Sequence, residues 1–225
     1  MKKIGVLGGS FNPVHNGHLR LALEAVERLG LDRVELVPAP RPPHKPETGL
    51  LGFDKRVSLL EAAISGVPQL AVNPLEGARR GPSYTFHTLE AYRALSSGDE
   101  IFFILGAGDL LTLTSWFRGL ELTDLAHLAV GARPDVSGAG LEFSRVREFV
   151  KEHWPKAQPD KGGTVWNLPS GNRLLYLEIP LLDISAAYVR EKWRRGQNIR
   201  GLVPESVEQG LFAMRLEAEK AWQGT

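Results

Sequence analysis

Cysteine is absent from all 225 residues. That excludes a disulfide framework, a thiolate zinc site and a cysteine nucleophile, and it is compatible with a reducing compartment. An excess of charge of one sign is also missing. The chain carries 27 Lys and Arg against 26 Asp and Glu, a net charge of +1, which gives no electrostatic case for nucleic acid or for an anionic membrane surface. No apolar run approaches the ~20 residues that span a bilayer. The chain opens directly on a short apolar stretch rather than a basic-then-apolar leader, so a cytoplasmic location is the expectation. Internal repeats and long low-complexity segments are lacking too. What is present is ordinary for a globular protein, 43% hydrophobic and 24% charged. It is enough for one domain with a full-sized core, or one domain with an excursion.

Short apolar runs alternate with amphipathic stretches from end to end. KIGVLG (3–8), RVELVPA (33–39), LAVNP (70–74), EIFFILGAGD (100–109), AHLAVGARP (126–134) and LLYLEIP (174–180) read as buried strands. Residues 18–30 place Leu19, Ala22, Leu23, Val26 and Leu29 on one helical face, with Gly30 as the stop. Residues 54–65 do the same with Val57, Leu60 and Ile64. Helices are also expected over 83–98, with Ser83 as the cap, and over 185–195 and 204–222. Such alternation predicts a doubly wound α/β fold with a mostly parallel sheet and a small C-terminal helical part at 185–225. One domain spans 1–225. Residues 138–172 interrupt the pattern and read as a surface insertion. It holds one helix with Phe143, Val146 and Val150 in phase, and a hairpin around PSGN.

The chemistry concentrates in GGSFNPVHNGHL, residues 8 to 19. Ligands of open α/β sheets bind beyond the carboxyl ends of the strands, where this segment lies. Gly8 and Gly9 let backbone approach a bound group, and the next helix aims its N-terminus at the same place. His15 and His18, three apart, share a face and can donate to phosphate oxygens as charge develops. Ser10 and Asn12 add neutral polar groups. The alternative is a tight turn with two solvated histidines. The spacing matches neither G-x-G-x-x-G nor the P-loop, and two histidines without a third ligand are a weak metal site.

GGSFNPVHNGH resembles the G-x-F-x-P-x-H-x-G-H signature of the nucleotidyltransferase superfamily. Those enzymes join a nucleoside triphosphate to a phosphate or phosphate ester and release pyrophosphate, with the two histidines on the triphosphate. DISAAYVREKWRRG (183–196) is similar to the family's second signature, I-S-S-T-x-I-R. Ile184, Ser185, Val189 and Arg190 match it, while Ala186 and Ala187 replace two hydroxyl residues. The resemblance implies a Rossmann-like nucleotidyltransferase fold, with ATP contacts at Gly8, Gly9, Ser10, Phe11, His15, His18, Gly106, Asp109, Ile184, Ser185 and Arg190.

Further segments resemble the nicotinate mononucleotide adenylyltransferase branch: PRPPHKP (40–46), RRGPSYTFHTLEAY (79–92), ILGAGDLLTLTSWFRGLEL (104–122) and NIRGLVPESV (198–207). They imply acceptor contacts at Asn12, Lys45, Ser83, Tyr84, Thr85, Trp116 and Arg133, and catalytic roles for His15, His18, Lys45 and Arg190. Three positions depart from the branch. His87 stands where Asp is usual, Gly108 precedes Asp109 where Asp is usual, and a C-terminal Tyr is replaced near Gly210. The implied reaction is in-line attack of the acceptor phosphate on the α-phosphorus of ATP, without a general base, with Mg²⁺ held by substrate phosphates and water. The implied partners are ATP and a pyridine mononucleotide, and a homo-oligomer is compatible with it. Rival acceptors are nicotinamide mononucleotide, phosphopantetheine or a CTP-dependent sugar alcohol, the last two disfavoured by the Ser-Tyr-Thr and Trp116 segments. A nucleotide-binding regulatory protein without turnover is the rival of another class.

Overall fold

The computed structural model describes residues 1–43, 49–95, 98–132, 141–180 and 182–223. The elements follow in order: β1 (Lys3–Gly9), α1 (Asn16–Leu29), β2 (Arg33–Pro38), α2 (Phe53–Ile64), β3 (Leu70–Val72), α3 (Thr85–Leu95), β4 (Glu100–Gly106), α4 (Ala107–Leu111), α5 (Leu122–Leu125) and β5 (His127–Ala132). Then come α6 (Leu141–His153), β6 (Gln158–Pro159), β7 (Val165–Asn167), β8 (Arg173–Glu178), α7 (Ala186–Arg194), α8 (Glu205–Ala213) and α9 (Arg215–Trp222). The strands run in the order β3-β2-β1-β4-β5-β8-β7-β6. β1 with β4, β4 with β5 and β5 with β8 pair in parallel, while β8–β7 and β7–β6 are antiparallel. This is the doubly wound, mostly parallel sheet that continuous apolar strands require: every residue of β5 is buried.

Two compact units divide the chain. One comprises residues 1–7, 21–34 and 84–181, the other 8–20, 35–83 and 182–225. The first unit has its core on β4, β5 and β8, where Phe102, Leu128, Val130 and Leu174 are buried. Val146 and Val150 of α6 are buried as well, in the phase expected. The described part of the 138–172 segment carries two short strands. Its β6 and β7 extend the sheet edge, and the hairpin around PSGN closes with Leu168 N–H on Asn172 O at 2.9 Å and Gly171 at φ 87°. Short strands ending on a proline suit an edge.

In the second unit α2 packs on α8, and α9 on α7 and α8. A Cβ at Gly210 would stand 2.7 Å from Leu59 Cδ2, so α8 approaches α2 closely at this glycine. The buried face of α2 is Arg56, Leu59, Leu60 and Ala63, rotated from the expected Val57/Leu60/Ile64 stripe because an arginine occupies the core side. The expected 204–222 helix breaks at Met214, whose φ of −110° and ψ of 35° leave the helical region. The 100–109 strand ends at Gly106, and the residues after it turn into α4. Among the described residues no helix is long and apolar enough to cross a membrane.

Candidate active site

The turn between β1 and α1 lies in the second unit beyond Gly8. Gly9 O accepts from Ala39 N at 2.9 Å, and a Cβ on Gly9 would press on the Phe11 ring at 3.1 Å. Phe11 is buried and adopts φ 44°, a left-handed conformation rare for a bulky side chain. The Asn12–Pro13 peptide is cis.

His15 and His18 stand together as the spacing requires. Their rings stack with centroids 3.6 Å apart and 24° between planes, and Phe11 meets His18 edge-on at 5.0 Å. The His15 N–H donates to His18 Nδ1 at 3.2 Å. Gly17 lets this pair form: a Cβ there would be 3.1 Å from His15 Nδ1 and 3.5 Å from Ile184 O. That contact brings the 183–196 segment against the first turn of α1. Arg190 adds a second link, its Nη1 donating to Asn12 O at 2.9 Å. Burial, and then the nearby Arg194, hold the Arg190 pKa below the ordinary arginine value, leaving it a cation. Ser185 caps α7, its Oγ accepting from Tyr188 N at 3.1 Å. Ala186 and Ala187 are the first two residues of that helix.

Three expectations need correction. Asn12 was assigned to substrate, yet its side chain is buried and engaged. Nδ2 donates to Gly49 O at 2.7 Å, and Oδ1 accepts from Leu51 N at 3.0 Å and Trp222 Nε1 at 3.2 Å. An amide with both ends satisfied by the protein braces the turn from behind. The α1 N-terminus is partly occupied too, since Asn16 N donates to Leu202 O at 2.9 Å and Asn16 Nδ2 to Gly201 O at 2.7 Å. Ser83 does not open α3, which begins at Thr85. Its Oγ accepts from Arg41 N at 3.2 Å and its N–H donates to Arg41 O at 2.9 Å, so it clamps two loops instead.

Of the residues that the resemblance assigned to the acceptor, Tyr84, Thr85 and Trp116 belong to the first unit. Tyr84 precedes α3 and stacks on Phe117 at 4.6 Å. Thr85 is the first residue of the helix. Trp116 is half-buried and edge-on to Phe103 at 6.3 Å. Asp109 lies in the first turn of α4, with its Oδ2 3.5 Å from where a Gly106 Cβ would be. His87 Nδ1 pairs with Glu90 at 2.9 Å. Lys45 and Arg133 lie outside the described residues. Among the described residues no three His, Asp or Glu gather into a metal-holding cluster.

Arg56, Trp222 and Gly17 were missed as contributors. Trp222 is fully buried under the turn through its bond to Asn12. Nothing local marks a tryptophan 210 positions away as its partner. Arg56 did leave a signal, an arginine in the i, i+3, i+4, i+7 register with Leu59, Leu60 and Ala63.

The cytidylyltransferase-like family model matches residues 6–192. A protein of Geotalea uraniireducens named "Probable nicotinate-nucleotide adenylyltransferase" is 37% identical over 219 residues, covering 95% of this chain and 97% of its own. A protein of the same name from Chromohalobacter salexigens is 40% identical over 222 residues, covering 96% of each. Among solved structures, Plasmodium falciparum nicotinic acid mononucleotide adenylyltransferase complexed with NaAD superposes with a TM-score of 0.72 over 96% of this chain and 98% of that one. At 16% identity, that likeness supports the fold.

Proposed function

The chain belongs to the cytidylyltransferase-like family, and on that premise we propose that it transfers the adenylyl group of ATP to nicotinate mononucleotide. The products are deamido-NAD and pyrophosphate, a step of NAD biosynthesis. One observation carries the reading: two signature segments, far apart in the chain, meet in one unit where Arg190 Nη1 bonds Asn12 O at 2.9 Å beside the His15–His18 pair. The names of the relatives at 37% and 40% identity supply the acceptor.

The acceptor phosphate is already an anionic nucleophile. Its oxygen attacks the α-phosphorus of ATP, the bond from that phosphorus to the β-phosphate oxygen breaks, and pyrophosphate leaves with the electron pair. No proton need be abstracted, so the protein's work is positioning and charge stabilisation. His18, His15 and Arg190 act on the polyphosphate, with Ser185 and the backbone of the Gly8–Phe11 turn. The sequence resemblance adds Lys45 to that set. The sequence resemblance assigns the pyridine mononucleotide to Tyr84, Thr85 and Trp116. Mg²⁺, entering with ATP, would neutralise part of the polyphosphate charge beside His15, His18 and Arg190. The reaction belongs to the cytoplasm, in keeping with a chain that uses no cysteine.

The test is pyrophosphate release by purified protein from MgATP with nicotinate mononucleotide. One deamido-NAD per pyrophosphate is expected. Release no faster than without protein would overturn the reading in favour of a nucleotide-binding protein without turnover.

A further inference from the structure

Arg56 is buried to 1% exposure. Its Nε donates to Leu51 O at 2.9 Å, Nη1 to Ser10 O at 2.6 Å and to Ala39 O at 2.9 Å, and Nη2 reaches Pro40 O at 3.5 Å. The Phe53 ring lies 5.6 Å from its Cζ. None of these partners is a carboxylate. Burial pulls its pKa down to about 10, so it is still a cation at neutral pH. A buried charge is ordinarily paired. Among the described residues this one is paired only with carbonyl dipoles, behind the turn that carries Gly9, Ser10 and Phe11.

We propose that Arg56 is a positioning residue for the ATP polyphosphate, fixing the Ser10–Phe11 peptide so that the Phe11 N–H faces the anion whose charge complements its own. The identity of that anion rests on the adenylyl-transfer reading above. The peptide geometry carries the argument. In a trans peptide the carbonyl and the following N–H point to opposite sides. With Ser10 O held by Arg56, the Phe11 N–H is turned away from the guanidinium. That N–H has no acceptor among the described residues. The left-handed φ of 44° at Phe11 is a conformation that surrounding contacts must hold. The Arg56 bond acts on the peptide just before it. The same guanidinium ties down Ala39 and Pro40, where the proline-rich loop starts, so one side chain sets two walls of the site. A planar fork with several fixed donors can do this; a single ammonium or amide cannot.

Arg56→Gln removes the charge and most of the fork. The expected result is a KM for MgATP raised about ten- to a hundredfold, the range for losing charged hydrogen bonds, while the KM for nicotinate mononucleotide changes less than about threefold. A lower melting temperature with both KM values unchanged, or both raised alike, overturns the proposal and leaves Arg56 a brace for the fold. If the variant does not fold, the unaltered protein still decides. Inorganic tripolyphosphate at saturation is expected to slow amide exchange at Phe11 at least about tenfold, as hydrogen bonding to a bound anion would. Unchanged exchange there overturns the proposal. That measurement needs no turnover, so it stays separate from the pyrophosphate-release assay on which the adenylyl-transfer reading stands or falls.

Discussion

The backbone N–H of His15 donates to Nδ1 of His18 across 3.2 Å. An imidazole nitrogen that accepts carries no proton, so the proton of neutral His18 is on Nε2. The spacing of three residues thus does more than place two rings on one face. It lets the backbone of one histidine select the tautomer of the other, and on the adenylyl-transfer reading proposed above that tautomer would offer its Nε2–H to charge developing on the leaving phosphate.

His18→Ala is therefore expected to fold and to lose turnover. His18 is outside the buried set of α1, which is Ala22, Glu24 and Ala25. Removing one preorganised donor costs roughly 3–4 kcal/mol, a factor of ~10² to 10³ in kcat. Rates at saturating substrate, read beside a melting curve, check this. A near-normal rate would remove His18 from the chemistry.

Gly17→Ala separates stability from activity in the opposite way. Alanine favours a helix over glycine by about 1 kcal/mol, so the melting temperature is expected to hold or rise. The new Cβ would stand 3.1 Å from His15 Nδ1 and 3.2 Å from its Cε1, closer than the ring tolerates. His15, stacked on His18, must move by a few tenths of an ångström. Misplacement on that scale is expected to lower kcat roughly 3- to 30-fold. Unchanged kcat would show that the stacked pair has slack, and that its geometry is not limiting.

The parts of this molecule legible in its sequence are those set by local pattern. Continuous apolar runs such as Ile101–Leu105, short and recurring between amphipathic stretches, point to buried parallel strands, and Gly-Gly before His-x-x-His points to the turn. Long-range partnerships were not legible. Asn12 looks like a polar group for substrate until Trp222, Leu51 and Gly49 are found on its amide. Ser83 looks like a helix cap until Arg41 is found facing it. Arg56 hid the true phase of α2, because counting apolar residues assigns any arginine to solvent. In each case a satisfied polar group was read as an available one. Satisfaction depends on segments that folding brings from elsewhere.

Below neutral pH, the fold is expected to weaken through His127. This ring is buried against Phe102 at 4.7 Å, and its Nδ1 accepts from Arg173 N at 2.9 Å. Burial first, and then the positive charge of Arg173, depress its pKa, with Glu100 opposing. The unfolded chain takes up this proton near pH 6.5, before the native state does. Stability is full above that pH and is lost as pH falls through the depressed folded value, at no more than ~1.4 kcal/mol per pH unit for one proton. His127→Asn can keep an acceptor for Arg173 N without titrating. The drop in melting temperature from pH 7.5 to 5.5 should be smaller in this variant than in the parent. An equal drop would place the sensitivity elsewhere.

Acceptor choice is the most exposed expectation. Nicotinate and nicotinamide mononucleotides differ by a carboxylate against a neutral amide. The start of α3 at Tyr84 and Thr85 offers backbone N–H groups at the positive end of a helix dipole, and charge-assisted bonds there are about twice as strong as neutral ones. His87 adds little to this preference, because its Nδ1 is engaged with Glu90 at 2.9 Å. The discrimination therefore rests on the N–H donors, worth ~1–3 kcal/mol, or a ratio of roughly 5 to 150 in kcat/KM favouring nicotinate. Asp109, in the first turn of α4, is a carboxylate of this unit that would act the other way if it faced the ring substituent, accepting from the amide and repelling the acid. The two effects have opposite signs, so one comparison of kcat/KM for the two mononucleotides decides between them. Equal values, or a preference for the amide, would refute the helix-terminus account of specificity while leaving adenylyl transfer intact. Asp109→Asn would then be expected to swing the ratio back towards nicotinate.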